Sequence, residues 1–397
     1  MLHQTGMDEV GSRMVDFDRI IDRRPWDSMK WNVPEGVLPM WVADMDFEAA
    51  PPIREALQDR LNHGIFGYTE VPEEWYAAYQ NWWERRHGWK MEKDWLMFVT
   101  GIVPAVSSLV RKLTTPNEKV LIQTPVYNIF FNSILNNGCR VAESPLIYEK
   151  GAYRMNLEDL EKKMADPQTN LMILCNPHNP VGRIWDRESL ARVGELAEQY
   201  HVTVISDEIH CDLTASGKEY IPFASVSDAC RRVSISCLAP TKTFNLAGLQ
   251  TAAIAAADPF LRHKAWRAIN TDEVAEPNAF ACAGAVAAFE KGEPWLEALR
   301  AYLWENRALA EARIRAELPA CYPVPAEATY LLWLDVSALG EGEAIAEHLE
   351  KKEGLMVSAG GEYGEAGKGF LRINLACPRA TLEEGLARLV KGLKAME

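Results

Sequence analysis

The chain has 397 residues, 48% of them hydrophobic and 25% charged, with 56 acidic against 42 basic side chains and a formal net charge of −14. That apolar content excludes a disordered chain, and the length exceeds what one hydrophobic core ordinarily serves. The acidic balance, with no long Lys/Arg run, excludes a uniformly basic nucleic-acid surface.

No apolar stretch approaches the ~18 residues of a transmembrane helix, so no membrane association is expected. The start, Met1 to Glu9, lacks a basic segment followed by an apolar one and does not read as a secretory signal. Eight cysteines are scattered from Cys139 to Cys377 with no CxxC pair. They read as reduced thiols of a cytoplasmic protein rather than a disulfide framework or a zinc site, and no metal is expected.

In chain order, residues 1 to about 15 are polar and read as a loose arm. Trp- and Pro-rich pieces follow, ending in Pro39-Met40-Trp41-Val42-Ala43-Asp44-Met45-Asp46-Phe47. Over residues 73 to 86, Trp75, Tyr76, Tyr79, Trp82 and Trp83 fall at helical spacing, as core or subunit-interface side chains. From about 96 to 257, short β-branched runs at 118–123, 170–175, 202–206, 233–237 and 251–257 alternate with helical stretches such as 187–200. That alternation predicts an α/β fold: a mostly parallel sheet sandwiched by helices. Beyond 258 come a helical region, a strand-like run at 329–335, a Gly-rich loop at 360–369, a strand at 370–375 and a closing helix, which reads as a smaller α+β domain.

Ligands of such sheets sit beyond the carboxyl ends of the strands. There is no P-loop and no GxGxxG between a strand and a helix, so nucleotide readings fall away. Four segments at strand ends carry unusual chemistry. In Val204-Ile205-Ser206-Asp207-Glu208-Ile209-His210 an acid stands at the mouth of a buried strand, although alone it could equally be a cap. In Ser236-Cys237-Leu238-Ala239-Pro240-Thr241-Lys242-Thr243-Phe244, Lys242 sits among turn-forming and apolar neighbours. A desolvated lysine there would be a usable amine nucleophile. Cys175 to Arg183 contains two Asn-Pro pairs and a Gly, a turn that could aim amide side chains. Thr100-Gly101-Ile102-Val103 enters a helix, whose free N–H groups favour a phosphate.

Together, in this order with Tyr127 and a C-terminal Arg, they resemble the aspartate-aminotransferase superfamily of pyridoxal-phosphate enzymes. Trp41 to Phe47, Ala239 to Asn245, and Phe370-Leu371-Arg372-Ile373-Asn374-Leu375-Ala376-Cys377-Pro378 are similar to the MalY/PatB branch of cystathionine β-lyase-like C–S lyases. The resemblance runs from about residue 16 to the C-terminus. It implies an arm and part of a small domain at 1–50, a large cofactor-binding domain at 51–290 and a small C-terminal domain at 291–397.

The resemblance also implies roles. Lys242 would hold pyridoxal phosphate as a Schiff base and move the Cα proton, while Asp207 would keep the pyridine nitrogen protonated. Asn179 would bond the phenolic oxygen and Tyr127 would stack on the ring. Ile102 and Val103 amides, the Thr241 hydroxyl and Tyr68 from a partner subunit would hold the phosphate. Arg372, with Asn179 and Tyr68, would bind the amino-acid substrate, the guanidinium clamping its α-carboxylate. His210 stands where relatives carry a Tyr beside the cofactor, and Gln250 where many carry a phosphate-binding Arg. The implied reaction is α,β-elimination of L-cystathionine or a related cysteine S-conjugate by a homodimer with composite sites. An aminotransferase uses the same side chains and is the alternative. A regulatory protein keeping the fold would need a DNA-binding head, for which the spare N-terminal residues are too few.

Overall fold

A computed structural model describes residues 15–149 and 151–397. The expected arm over the first residues lies, apart from Val15, outside the described residues.

The larger sheet has seven strands: β1 (Leu96–Val99), β2 (Lys119–Ile122), β3 (Arg140–Glu143), β4 (Thr169–Cys175), β5 (Thr203–Asp207), β6 (Ser234–Leu238) and β7 (Ala252–Ala255). Their spatial order is β1-β7-β6-β5-β4-β2-β3. All neighbouring pairs are parallel except those of β7, which runs antiparallel to β1 and β6. The sheet is therefore the mostly parallel one expected, and helices cover both faces.

The period-2 alternation of side chains assigns each face. Ile122, Ile173, Ile205, Ile235 and Ile254 pack on one side with α3 (Ile102–Leu113) and another helix, Pro259–Thr271. Leu121, Met172, Leu174 and Val204 face the other side, against Leu190, Val193 and Leu196 of the helix Arg187–Gln199. That helix starts where the Asp186 side chain accepts the Ser189 N–H at 2.8 Å, an N-cap. Toward β1 and β7 the same face is covered by α2 (Glu73–His87), whose Trp75, Tyr79, Trp82 and Trp83 are buried. These aromatics are core, and Gly88, in the left-handed region at φ 63°, ends their helix. α1 (Pro51–His63) precedes them.

The smaller sheet has the order β8 (Tyr322–Pro323), β9 (Leu331–Asp335), β11 (Phe370–Asn374), β10 (Ser358–Ala359), all antiparallel. The strand expected from 329 begins at Leu331, because Thr329 has φ 71° and its N–H bonds the Leu213 carbonyl instead. Leu38–Pro39 pairs in parallel with Leu355–Met356, so the N-terminal segment joins this C-terminal layer. A 25-residue helix, Glu293–Glu317, links the layers. At about 37 Å it buries Trp295 and Leu299 in the large core and Ala310 and Ile314 in the small one. No described helix is long and apolar enough to cross a membrane, and all eight cysteines are buried free thiols.

Candidate active site

β4, β5 and β6 end level with one another, since Cys175, Asp207 and Cys237 are register partners. The loops beyond these ends enclose a cavity of about 240 Å³, and its lining includes Tyr127, Asn179, Asp207, His210, Lys242 and Arg372. Six predicted side chains from five separate stretches of sequence thus meet in one place. Asp207 is the last residue of β5, Asn179 follows β4, and Lys242 follows β6. Arg372 comes from the middle of β11 in the smaller sheet, across the cavity.

Asp207 is 3% exposed, and among the described residues its carboxylate accepts only the Ile209 N–H, at 3.3 Å. Among the described residues no basic side chain lies within ion-pair distance of it. Burial pushes its pKa up to about 7, against the pull of the Ile209 N–H and the Lys242 charge. This carboxylate lacks a partner cation, and a protonated ring nitrogen would supply one. Lys242 donates from Nζ to the Ala43 carbonyl at 2.5 Å. Burial lowers its pKa to about 8, helped by the Arg372 charge and opposed by Asp44 and Asp207. Near neutral pH it is therefore an amine within reach of its neutral form. His210, driven down to about 3 by burial and by the Lys242 and Arg372 charges, stays neutral. Tyr127, raised to about 12 mainly by burial, remains a phenol.

Arg372 is 5% exposed and lies over the Tyr363 ring, 4.8 Å from its centroid. Nη1 reaches Asn179 Oδ1 at 3.3 Å and Nη2 donates to the Trp41 carbonyl at 2.9 Å, while Nε has no partner among the described residues. A guanidinium with an orphaned donor beside a cavity suits a planar carboxylate.

The segment from Trp41 to Phe47 closes the cavity and is stitched to both sheets. Tyr330 Oη donates to the Ala43 carbonyl at 2.8 Å, and Asn374 Nδ2 to the Val42 and Asp44 carbonyls at 2.6 Å each. Asn245 accepts the Met45 N–H at 3.0 Å and donates to the Met45 carbonyl at 2.9 Å. From behind, Arg23 bonds Asp44 and Asp46, each at 2.7 Å, and the buried Lys30 bonds Asp46 at 2.7 Å. Sequence reasoning missed Asn245, Tyr330, Tyr363 and Asn374 as parts of the site. Asn245 and Asn374 stood inside the phrases that carried the resemblance, but nothing about an isolated Asn marks it as a clamp on a distant carbonyl.

Other predicted residues lie outside the cavity lining. Ile102 and Val103 open α3, where N–H groups lack helical acceptors, and Thr241 precedes Lys242 in the same turn. Gln250 is exposed at the end of that turn. Tyr68 is fully exposed and does not reach its own chain's cavity.

The profile of the aminotransferase class I and II family matches residues 36–389. The chain belongs to this family. Within it, the chain is 43% identical over 386 residues to cystathionine β-lyase PatB of Bacillus subtilis, covering 96% of this chain and all of that one. It is also similar to cystalysin of Treponema denticola, a structure containing pyridoxal 5′-phosphate, with TM-score 0.93, 31% identity, and 97% and 100% of the two chains covered. A pyridoxal-phosphate-bound C–S lyase of Staphylococcus hominis gives TM-score 0.90 and 34% identity, covering 96% of this chain and 99% of that one. The family's shared fold accounts for the two-layer build with the cavity between a large and a small sheet.

Proposed function

We propose that the chain is a pyridoxal-phosphate-dependent carbon–sulfur β-lyase, which cleaves L-cystathionine or a related cysteine S-conjugate to a thiol, pyruvate and ammonia. The observation that carries this is the meeting of Asp207, Lys242, Asn179 and Arg372 around one cavity, in a chain 43% identical to a cystathionine β-lyase. The residues fit the cofactor: a buried carboxylate without a counter-ion for the ring nitrogen, an amine of lowered pKa for the aldehyde, and an amide and a phenol along the ring. When bound, the cofactor supplies an electron sink for a carbanion at the substrate Cα.

Each side chain then has a definite task. Arg372 takes the substrate α-carboxylate with its two-pronged donor set. Asn179, already 3.3 Å from Nη1 of Arg372, orients both the guanidinium and the cofactor's phenolic oxygen. Lys242 first holds the cofactor and then accepts the Cα proton at Nζ. The Ala43 carbonyl, 2.5 Å from Nζ, aims the amine at the cavity. The buried Asp207 carboxylate keeps the ring nitrogen protonated. Ile102 and Val103 amides and the Thr241 hydroxyl would hold the phosphate, and His210, which lines the cavity, would offer the cofactor a neutral ring.

The phosphate site is completed in a homodimer by Tyr68 from the second subunit. In support, Tyr68 projects from its own chain among exposed Leu61, Ile65 and Phe66, an apolar surface suited to a second copy. In this reading residues 51–290 carry the cofactor. Residues 1–50 and 291–397 form the smaller substrate-side domain, and the homocysteine released feeds methionine biosynthesis in the cytoplasm.

The purified protein, incubated with L-cystathionine and no keto acid, is expected to release pyruvate and ammonia in equal amounts. L-Alanine, without a β leaving group, should yield neither at a comparable rate. Turnover that depends on 2-oxoglutarate or pyruvate and frees no ammonia would replace the lyase with an aminotransferase.

A further inference from the structure

Behind the turn that carries Lys242 lies a second polar cluster, none of whose residues lines the catalytic cavity. Its centre is Asp212, fully buried five residues after Asp207. His87 Nε2 lies 3.0 Å and Arg86 Nε 3.3 Å from Oδ1. Trp82 Nε1 lies 3.2 Å from both carboxylate oxygens, and Thr243 Oγ1 donates to Oδ2 at 3.0 Å. Trp82, Arg86 and His87 all come from the end of α2, whereas Thr243 is the neighbour of Lys242 and is itself fully buried.

Burial alone would raise the Asp212 pKa, but His87, Arg86 and Thr243 outweigh it and hold the group below the ordinary carboxylate value. It is thus a stable buried anion with its lone pairs occupied. The Cys211 thiol stands close enough to His87 and Asp212 to suggest a metal cluster. Four donors on Asp212, one of them a guanidinium, argue instead for a hydrogen-bonded anchor. A separate cavity of about 480 Å³, lined in part by Arg86, His87, Asp212 and Tyr220, opens on this far side, and Lys242 does not line it.

The geometry follows from alternation along the turn. Lys242 projects into the catalytic cavity and Thr243 into the cluster behind it. Fixing one side chain therefore fixes the backbone that aims the other. α2 is in turn immobilised, because Arg86 also binds Glu293 at 2.6 Å and Glu297 at 2.8 Å on the long linking helix.

We infer that Asp212 is a positioning residue for Lys242, acting through the Thr243 hydroxyl to hold the amine in line with the substrate Cα. The inference rests on Lys242 being the cofactor-holding amine of the proposed function. The amine's reach is set by a long flexible side chain, so its productive fraction depends on where the turn places Cα.

The test is Thr243→Val, which keeps shape and removes the hydroxyl, beside Thr243→Ser, which restores it. Thr243→Val should lower kcat on L-cystathionine by about 10- to 100-fold, the cost of one misplaced group, with KM changed less than threefold. It should also lose more than half of the visible circular dichroism of the bound cofactor, and Thr243→Ser should regain both. Asp212→Asn should act in the same direction, and the double variant should fall no further than the worse single one, since both remove one link. If Asp212→Asn does not fold, because it strands Arg86 and His87, the Val/Ser pair decides alone. Thr243→Val with wild-type dichroism and kcat within threefold, or effects of the two substitutions that multiply in full, would overturn the inference. A wild-type protein that releases no pyruvate, while Thr243→Val still loses the dichroism, would sink the lyase reading and leave the positioning role standing.

Discussion

Asp207→Asn separates the electronic role of this residue from its place in the fold, because the amide has the same shape and can still accept the Ile209 N–H. The wild-type carboxylate is 3% exposed and has that single backbone partner at 3.3 Å. With no ion-pair partner among the described side chains, a protonated ring nitrogen would be its counter-charge in the proposed function. Breaking a buried ion pair by removing one partner costs about 3–5 kcal/mol. If that whole amount is realised in the transition state, at about 1.4 kcal/mol per tenfold, kcat falls by roughly two to three and a half orders of magnitude. The assay is initial-rate pyruvate release from L-cystathionine, normalised to cofactor content read from visible absorbance. The variant should still carry cofactor, since Lys242, Tyr127 and Asn179 are intact. A loss below tenfold at equal cofactor content would mean that Asp207 is a structural strand-end residue and that the ring nitrogen is not protonated by it.

Arg372→Lys keeps the charge but loses the planar fork and its contact with the Tyr363 ring. One charge-assisted bond of about 1.5–3 kcal/mol should go, seen as a roughly 10- to 100-fold drop in kcat/KM carried mostly by KM. A change under threefold would remove Arg372 from carboxylate binding. Mixing inactive Tyr68→Ala and Lys242→Ala chains should restore part of the activity, because one hybrid site then has both residues intact; no recovery under conditions that exchange subunits would argue against composite sites. Asp46→Ala leaves Lys30, which is 1% exposed, with Asp44 at 3.9 Å in place of Asp46 at 2.7 Å and removes an acceptor of Arg23 and Trp31, and should lower stability to urea by about 3–5 kcal/mol. A shift below about 1 kcal/mol, the worth of an exposed pair, would show that Lys30 finds another acceptor.

The β-branched runs around 120, 173, 204 and 235 announced the large sheet because strands buried on both faces must be continuously apolar. β3 escaped notice, because Arg140–Glu143 is an edge strand with an exposed Arg, whereas β1 was read only through its end before Thr100. Asp207 alone could equally have been a strand-end cap and Lys242 a surface charge; they became legible through their order along the chain with Tyr127, Asn179 and Arg372. The carbonyl clamps were not legible, since Asn374 and Asn245 act on backbone atoms whose position depends on the whole tertiary fold. Tyr68 was placed by resemblance alone; within a single chain it simply points outward.

The stitching of residues 41–47 also bears on the order in which the protein is made. The bonds from Lys242, Tyr330, Arg372 and Asn374 to this segment span 199, 287, 331 and 332 residues of chain. The Ala43, Met45 and Phe47 carbonyls find donors once Lys242 and Asn245 are made, but those of Trp41, Val42 and Asp44 wait for Arg372 and Asn374. The strand ends that carry Asp207 and Lys242, by contrast, are placed by the pairing of β4, β5 and β6. Contacts of such long separation form late, so the bed for the ring can assemble while the wall facing the substrate is still open. In refolding, protection of the 41–47 amides from hydrogen exchange should lag behind that of β4 to β6; simultaneous protection would mean the two halves fold as one unit. A nascent or partly refolded chain would then be able to capture cofactor before it can discriminate among amino acids.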